Sequence, residues 1–172
     1  MRVGIATDHC GFAQKDDLVA RLPGAGHDVV DLGADKPSPD DDDPAFVIPL
    51  AQAVAAETVE RGVAICGSGA GASICTNQVP GIRAALIHDH SSAGQGVEDG
   101  PLNITCIRGG TVGPGVARDL VLPGWPPTSG EGATPPRARG PPGQSDSNIF
   151  DPTAVRPSVL PVVILPVARG TL

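Results

Sequence analysis

The chain has 172 residues, of which 40% are hydrophobic, and its formal net charge is −7 at pH 7. This length allows one ordinary domain with a buried core and excludes two enzyme-sized domains. The negative charge disfavours nucleic acid and anionic membrane surfaces as partners, and no apolar run is long enough to span a bilayer.

The first segments of the chain predict a strand, a helix and a second strand. Residues 2–7 (RVGIAT) form the near-continuous apolar run of a buried strand, and residues 11–22 have the spacing of an amphipathic helix. Residues 27–33 predict the second strand, which ends at a glycine. No signal-peptide pattern precedes these elements, so we expect a cytoplasmic protein.

The alternation continues along the chain. Residues 44–62 predict a long helix, because a proline stands in the first turn and a glycine at the end. Three more strands are predicted at 62–66, 82–88 and 103–109, and three more helices at 69–78, 91–99 and 113–122.

This order of elements predicts an α/β fold, a three-layer αβα sandwich with a five-stranded, parallel, doubly wound and Rossmann-like sheet. Such sheets bind ligands at the carboxyl ends of their strands. We assign residues 1–121 to this domain. Residues 122–172 are rich in proline and glycine and lack periodicity, so we expect an extended or disordered tail.

A glycine-rich loop follows the third predicted strand. Gly67, Gly69 and Gly71 alternate there, so that backbone amides and the next helix dipole can bind an anion, and Ser68 adds a hydroxyl. Two other interpretations stay open: small residues that only allow close packing, and a dinucleotide-binding G-x-G-x-x-A motif with Asp89 as the ribose-binding acid. The dinucleotide-binding interpretation is weakened because the motif does not follow the first strand of the chain.

Cys66 directly precedes this loop. A thiol beside the amino end of a helix is expected to have a lowered pKa and to act as a base or nucleophile, although a buried core cysteine is the alternative. The chain's four cysteines are widely spaced, which predicts reduced thiols and neither a zinc site nor a disulfide framework.

Polar residues also follow the first strand. Asp8 and His9 could bind sugar hydroxyls or a phosphate; alternatively, Asp8 caps the next helix and His9 lies on the surface. The acidic run 40–43 is interpreted as a solvated turn, not a metal site, because consecutive side chains do not converge on one ion. Asn103, before the fifth strand, could reach the same cleft.

Residues 1–121 contain the motifs DHCGF, CGSGAGASICTNQVPGIRAAL and HD, followed by the spacing N...GG..GP. Together these motifs resemble those of the ribose-5-phosphate isomerase B and galactose-6-phosphate isomerase family. The resemblance implies interconversion of an aldose and a ketose sugar phosphate through an enediolate, with no metal, nucleotide or other cofactor. It also implies a homodimer or homotetramer with sites between subunits.

The same resemblance implies roles for individual residues. Cys66 would be the base that moves a proton between C1 and C2, and Asp99 stands where many relatives have a histidine for ring opening. The enediolate and the rest of the substrate would be bound by the loop and by four further residues: Gly67, Ser68, Gly69, Gly71, Asp8, His9, Asn77 and Asn103.

The chain departs from the family pattern at the phosphate side of the pocket. Thr111 replaces an arginine often used for phosphate, Asp43 replaces a tyrosine, and the tail lacks the usual helices with phosphate-binding arginines. Two alternatives to an active isomerase therefore stay open: a catalytically impaired sugar-binding relative and a dinucleotide-binding domain.

Overall fold

Five parallel strands form one sheet in the order β2-β1-β3-β5-β4 in the computed structural model, which describes residues 1–36, 38, 41–98 and 102–122. The strands are β1 Arg2–Thr7, β2 Asp28–Asp31, β3 Arg61–Cys66, β4 Ala84–Leu86 and β5 Ile104–Arg108. The helices are α1 Phe12–Arg21, α2 Pro44–Ala55, α3 Ala70–Thr76, α4 His90–Glu98 and α5 Pro114–Val121. Short 3₁₀ turns flank α1 at His9–Gly11 and Leu22–Ala25. The predicted α/β sandwich with a parallel five-stranded sheet is confirmed.

The helices cover both faces of the sheet. Helices α1, α4 and α5 pack together on one face, and α2 and α3 pack together on the other. Strand β2 lies on one side of β1 and β3 lies on the other side. The strand order therefore reverses between β1 and β3. Crevices at such reversals are where open α/β sheets bind their ligands.

Side chains alternate between the two faces along the central strand. Val63 and Ile65 of β3 belong to the core cluster under α1 and α5, whereas Ala64 and Cys66 belong to the cluster under α2 and α3. All six residues of β3 are buried. Cys66 therefore ends the strand on the α2–α3 face.

The loops that follow β1 and β5 touch each other at the carboxyl end of β3. A Cβ atom on Gly109 would lie 2.5 Å from the Cys10 carbonyl oxygen and 2.9 Å from the Cα of Gly11. A Cβ atom on Gly11 would in turn overlap the Thr7 side chain. The Gly109 N–H also donates to the Cys66 carbonyl at 2.8 Å. The approach of the two loops requires glycine at Gly109, and the packing of the first loop against β1 and β3 requires glycine at Gly11.

The second helix is shorter than its predicted span of 44–62. It ends at Ala55, and Glu57 has a φ of 57°, a left-handed conformation that a helix cannot contain. The Ala53 carbonyl accepts bonds from the Thr58 backbone N–H and hydroxyl, both at 3.0 Å, which closes the helix end. The glycine at 62 lies inside β3 instead of ending the helix.

None of the helices in the described ranges is both long and apolar enough to cross a membrane. The predicted tail, apart from Leu122, lies outside the described residues, so its conformation and the domain boundary stay predictions.

Candidate active site

The carboxyl ends of β1 and β3 bring two of the predicted site residues to one edge of the sheet. Cys66 is the last residue of β3, and Asp8 follows the last residue of β1, which pairs with Ile65. Both side chains are withdrawn from solvent, with exposed fractions of 4% for Cys66 and 7% for Asp8. A thiol and a carboxyl group thus start from neighbouring strand ends in the crevice where the strand order reverses.

The hydrogen-bonding groups around the Cys66 sulfur shift the pKa of its thiol in opposite directions. The Gly69 N–H donates to Sγ at 3.2 Å and the Ala72 N–H also donates to it, while the thiol donates to the Asp43 carboxylate. Burial, and then the Asp43 charge, raise the pKa of the Cys66 thiol, although both amides act to lower it. The prediction of a lowered pKa from the helix terminus alone was wrong, because burial outweighs the amides.

Asp43 is a site residue that the sequence analysis missed. It precedes α2, whose amino end meets the amino end of α3, so that an Asp43 oxygen lies 2.9 Å from the position of a Cβ on Gly71. Its Oδ1 is buried and makes no hydrogen bond within the described part of the chain. Burial raises the pKa of the Asp43 carboxyl, against the bond from Cys66. The acidic run 40–43 is therefore not only a solvated turn.

The turn after β1 is held by carboxylates. Asp8 Oδ1 accepts from the Cys10 N–H at 2.9 Å, so Asp8 does cap the 3₁₀ turn, as its alternative interpretation proposed. His9 Nδ1 lies 2.6 Å from Asp41 Oδ1, and this hydrogen bond raises the pKa of His9. His9 is thereby favoured as a cation at the mouth of the crevice.

The same turn offers ligand atoms that a metal ion could use. Side-chain atoms of Asp8, His9 and Cys10 all lie within 4.8 Å of one another. Burial raises the pKa of the Cys10 thiol, and the charges of Asp8 and Asp41 raise it further. A protonated thiol is a poor metal ligand, and His9 Nδ1 already bonds to Asp41.

The glycine-rich loop wraps around the end of β3. Gly69 has a φ of 74°, and a Cβ there would overlap Leu86 and lie 3.2 Å from the backbone nitrogen of Arg108. Ser68 is exposed, and its Oγ accepts from the Ala70 N–H at 3.2 Å. Close packing at Gly69 therefore coexists with a backbone amide that donates to the Cys66 sulfur. In this structure the anion that the loop amides would face first is the Cys66 thiolate.

The structure contradicts both observations that favoured dinucleotide binding, the glycine motif and the ribose-binding acid. Amides of Gly69 and Ala72 in the G-x-G-x-x-A stretch point at the Cys66 sulfur and are not open to a pyrophosphate. Asp89, the proposed ribose-binding acid, instead accepts from the Ser92 N–H at 2.8 Å and the Ser92 hydroxyl at 2.7 Å, at the start of α4.

Two predicted site residues lie at the opposite edge of the sheet. Asn103 Oδ1 accepts from the Arg83 N–H at 2.7 Å, and its Nδ2 donates to the Gly81 carbonyl at 2.9 Å. It precedes β5, whose register pairs Gly62 with its first residue and Cys66 with its last. Five residue steps along the strand direction, about 16 Å, therefore separate Asn103 from the level of Cys66.

Asn77 is also bound at that amino-terminal edge. Its Oδ1 accepts from the Ala84 N–H at 3.0 Å, and its Nδ2 donates to the Ala84 and Ser73 carbonyls, both at 2.8 Å. A single chain thus does not bring Asn77 or Asn103 to Cys66. Asp99, predicted for ring opening, lies outside the described residues.

Comparison with known proteins gives concordant matches. The family model described as Ribose/Galactose Isomerase matches residues 3–129. YwlF of Bacillus subtilis is 38% identical over 120 residues, which cover 70% of this chain and 80% of that protein. The chain spans about half the length of the mycobacterial ribose-5-phosphate isomerase B sequences that it matches.

Solved structures agree with these matches. Ribose-5-phosphate isomerase B of Clostridium thermocellum superimposes with a TM-score of 0.69 at 35% identity, covering 72% of this chain and 83% of that one. The enzyme of Mycoplasma genitalium with bound ribulose-5-phosphate gives 0.69 at 28% identity, covering 72% and 82%.

Proposed function

The chain belongs to the ribose/galactose isomerase family, and we propose that it interconverts an aldose phosphate and a ketose phosphate of the ribose 5-phosphate type. The observation that carries this proposal is the Cys66 thiol, buried at the strand reversal between two backbone amides and the Asp43 carboxylate. Such a thiol can take a proton from carbon and return it, which is what isomerisation next to a carbonyl requires.

The proposed reaction moves one proton between neighbouring carbons. The Cys66 thiolate removes the proton on C2 of the aldose, the C–H electrons form the C1–C2 double bond, and the carbonyl oxygen becomes an oxyanion. After a proton passes between the two oxygens, Cys66 returns its proton to C1 and the ketose forms. The amides of Gly67 and Gly71 and the Ser68 hydroxyl are proposed to bind the oxyanion.

Asp43 is proposed to hold the thiol proton while Cys66 acts as the base. The thiol already donates to the Asp43 carboxylate, and burial raises the pKa values of both groups, the thiol and the carboxyl. A raised pKa also makes the thiolate a stronger base towards a weakly acidic C–H bond. The two groups are expected to titrate as a coupled pair.

Asp8 and His9 are proposed to bind the sugar. The His9 imidazolium, favoured by Asp41, can donate to a hydroxyl or ring oxygen, and Asp8 can accept from a hydroxyl. Asp99 in ring opening, a homodimer or homotetramer with shared sites and a cytoplasmic location stay proposals from the family. Asn77 and Asn103 are left out of the proposed site because their side chains bond backbone at the opposite edge.

The test is an assay of ribulose 5-phosphate formation from ribose 5-phosphate. We expect Cys66→Ala to lower kcat by about 100- to 10,000-fold, the usual contribution of a general base. Cys75→Ala, on the partly buried side of α3, is the matched control and should keep wild-type turnover. Circular dichroism would verify that both variants fold. Wild-type turnover by Cys66→Ala would disprove the proposed mechanism.

A further inference from the structure

Arg108 stands beside the proposed base on the neighbouring strand. It is the last residue of β5 and pairs in register with Cys66, the last residue of β3. Neighbouring strands lie about 4.8 Å apart, so the two residues start from adjacent backbone positions. Arg108 was not among the site residues predicted from the sequence.

The alternation of β5 directs Arg108 to the same face as Cys66. Cys106, two residues earlier, belongs to the same core cluster as Cys66, and Ile107 belongs to the cluster on the opposite face. Side chains two residues apart on a strand share a face, so Arg108 leaves the sheet on the Cys66 side. Unlike the four residues before it in β5, Arg108 is exposed.

The Arg108 guanidinium has no partner in the described ranges, whereas most other cations there do. These pairs are Arg2 with Asp28, Lys15 with Asp31, Arg21 with Asp17, Arg118 with Asp119, and Arg61 with the Leu102 carbonyl. Lys36 follows β2, an edge strand that β1 separates from β3. Arg108 is thus an uncommitted cation on a strand adjacent to the base.

The opposite wall of the crevice is less suited to a phosphate, because the His9 imidazolium there is already paired with Asp41. Asp8, Asp41 and Asp43 lie there, on the loop after β1 and before α2, and their charges would repel a dianion. Arg108 lies on the other wall, at the end of β5, and its exposed side chain suits the end of the substrate remote from the reacting carbons.

We propose that Arg108 binds the phosphate group of the substrate and so selects phosphorylated over unphosphorylated sugars. This inference rests on the proposed function. The planar guanidinium can donate two parallel hydrogen bonds to phosphate oxygens. It would supply a cation in a chain where Thr111 stands in place of the arginine that the family resemblance leads one to expect.

The test compares Arg108→Met with Arg108→Lys, using ribose 5-phosphate and unphosphorylated ribose as substrates. For Arg108→Met we expect the KM for ribose 5-phosphate to rise about 10- to 100-fold, the loss typical of a charged hydrogen bond. The preference for the phosphorylated sugar, as a ratio of kcat/KM values, should fall by the same factor. Arg108→Lys should recover part of the loss.

Arg21→Met is the matched control, because Arg21 is exposed on α1 and paired with Asp17. It should keep the wild-type KM. An unchanged KM and substrate preference in Arg108→Met would overturn the proposal, and so would an equal loss in Arg21→Met. Either result leaves the isomerase function standing.

Calorimetry with ribose 5-phosphate and with inorganic phosphate separates this inference from the proposed function. If the wild type binds ribose 5-phosphate without isomerising it, and Arg108→Met weakens that binding about 10- to 100-fold, the phosphate site is supported while the proposed activity fails. If both proteins bind the two ligands equally, or neither binds, the phosphate site is overturned.

Discussion

The two edges of the sheet use polar side chains in different ways. At the amino-terminal edge, Asn77 and Asn103 bond to backbone groups with both their oxygen and their nitrogen. At the carboxyl edge, the buried Oδ1 of Asp43 has no hydrogen-bond partner within the described residues, and Arg108 has no partner there either. Polar groups bonded to backbone hold the fold, whereas uncommitted polar groups are available to a ligand.

The largest effect is expected from placing a side chain at Gly69, at the carboxyl edge of the sheet. Gly69→Ala should lower the free energy of unfolding by about 2–4 kcal/mol, because its left-handed backbone disfavours a side chain and the new methyl group would overlap Leu86. Urea unfolding measures the loss. Turnover should fall as well, since the Gly69 amide would move from the Cys66 sulfur.

Gly94→Ala in α4 is the control for that substitution, because a Cβ there meets no atom within 4 Å. It should stabilise the protein by about 0.5–1 kcal/mol, the usual gain of alanine over glycine in a helix. If Gly69→Ala were as stable as Gly94→Ala, the close packing of the loop against β4 and β5 would be refuted.

A smaller effect, confined to stability, is expected at the amino-terminal edge. Asn103→Ala removes bonds to the Arg83 N–H and the Gly81 carbonyl and should cost about 2 kcal/mol of unfolding free energy, with kcat and KM unchanged. Thermal unfolding and the isomerase assay measure the two quantities. Asn103→Asp keeps the acceptor and should lose less. A fall in kcat with full stability would return Asn103 to the active site.

The smallest structural change is Asp43→Asn, which removes a charge that raises the pKa of the Cys66 thiol. The pKa of the thiol should therefore fall, and the rising limb of kcat/KM against pH should move to lower pH. Alkylation of Cys66 by iodoacetamide at varied pH measures the shift in a Cys10→Ala, Cys75→Ala background. Cys106 should not interfere, since burial raises its pKa to about 12.

Asp43→Asn also has a predictable effect on stability. Burial raises the pKa of the Asp43 carboxyl in the folded state, so its contribution is favourable at low pH and is lost as the pH rises through that pKa. The variant should therefore be more stable than the wild type at neutral pH, and the difference should shrink on acidification. A thiol pKa that rises or stays unchanged would contradict the proposed pairing with Cys66.

The central strands could be predicted from sequence because both of their faces are buried. Strand β1 was predicted with its observed bounds, and β3 within one residue. The edge strand β4 is only Ala84–Leu86, shorter than the predicted 82–88, since its residues are only partly buried. The end of α2 was missed because Glu57, not glycine, takes the left-handed position that closes it.

The site was predictable where its parts are contiguous in sequence. Cys66 and the glycine-rich loop lie in one short stretch, so their proximity needed no knowledge of tertiary structure. Asp43 was missed because it meets Cys66 only through the packing of α2 against α3. Asn103 was expected in the same cleft, but it precedes a parallel strand and therefore lies, within one chain, at the edge opposite Cys66.

The contact between Gly11 and Gly109 has a consequence for directed evolution. A side chain at Gly109 would push the loops after β1 and β5 apart, and one at Gly11 would overlap Thr7 and Ile65, so a mutant library should leave both codons untouched. Neither Asp43 nor Arg108 has a φ in the left-handed range, so the backbone at these two positions does not require glycine. A library randomised at these two positions alone should therefore yield mostly folded clones that differ in substrate preference.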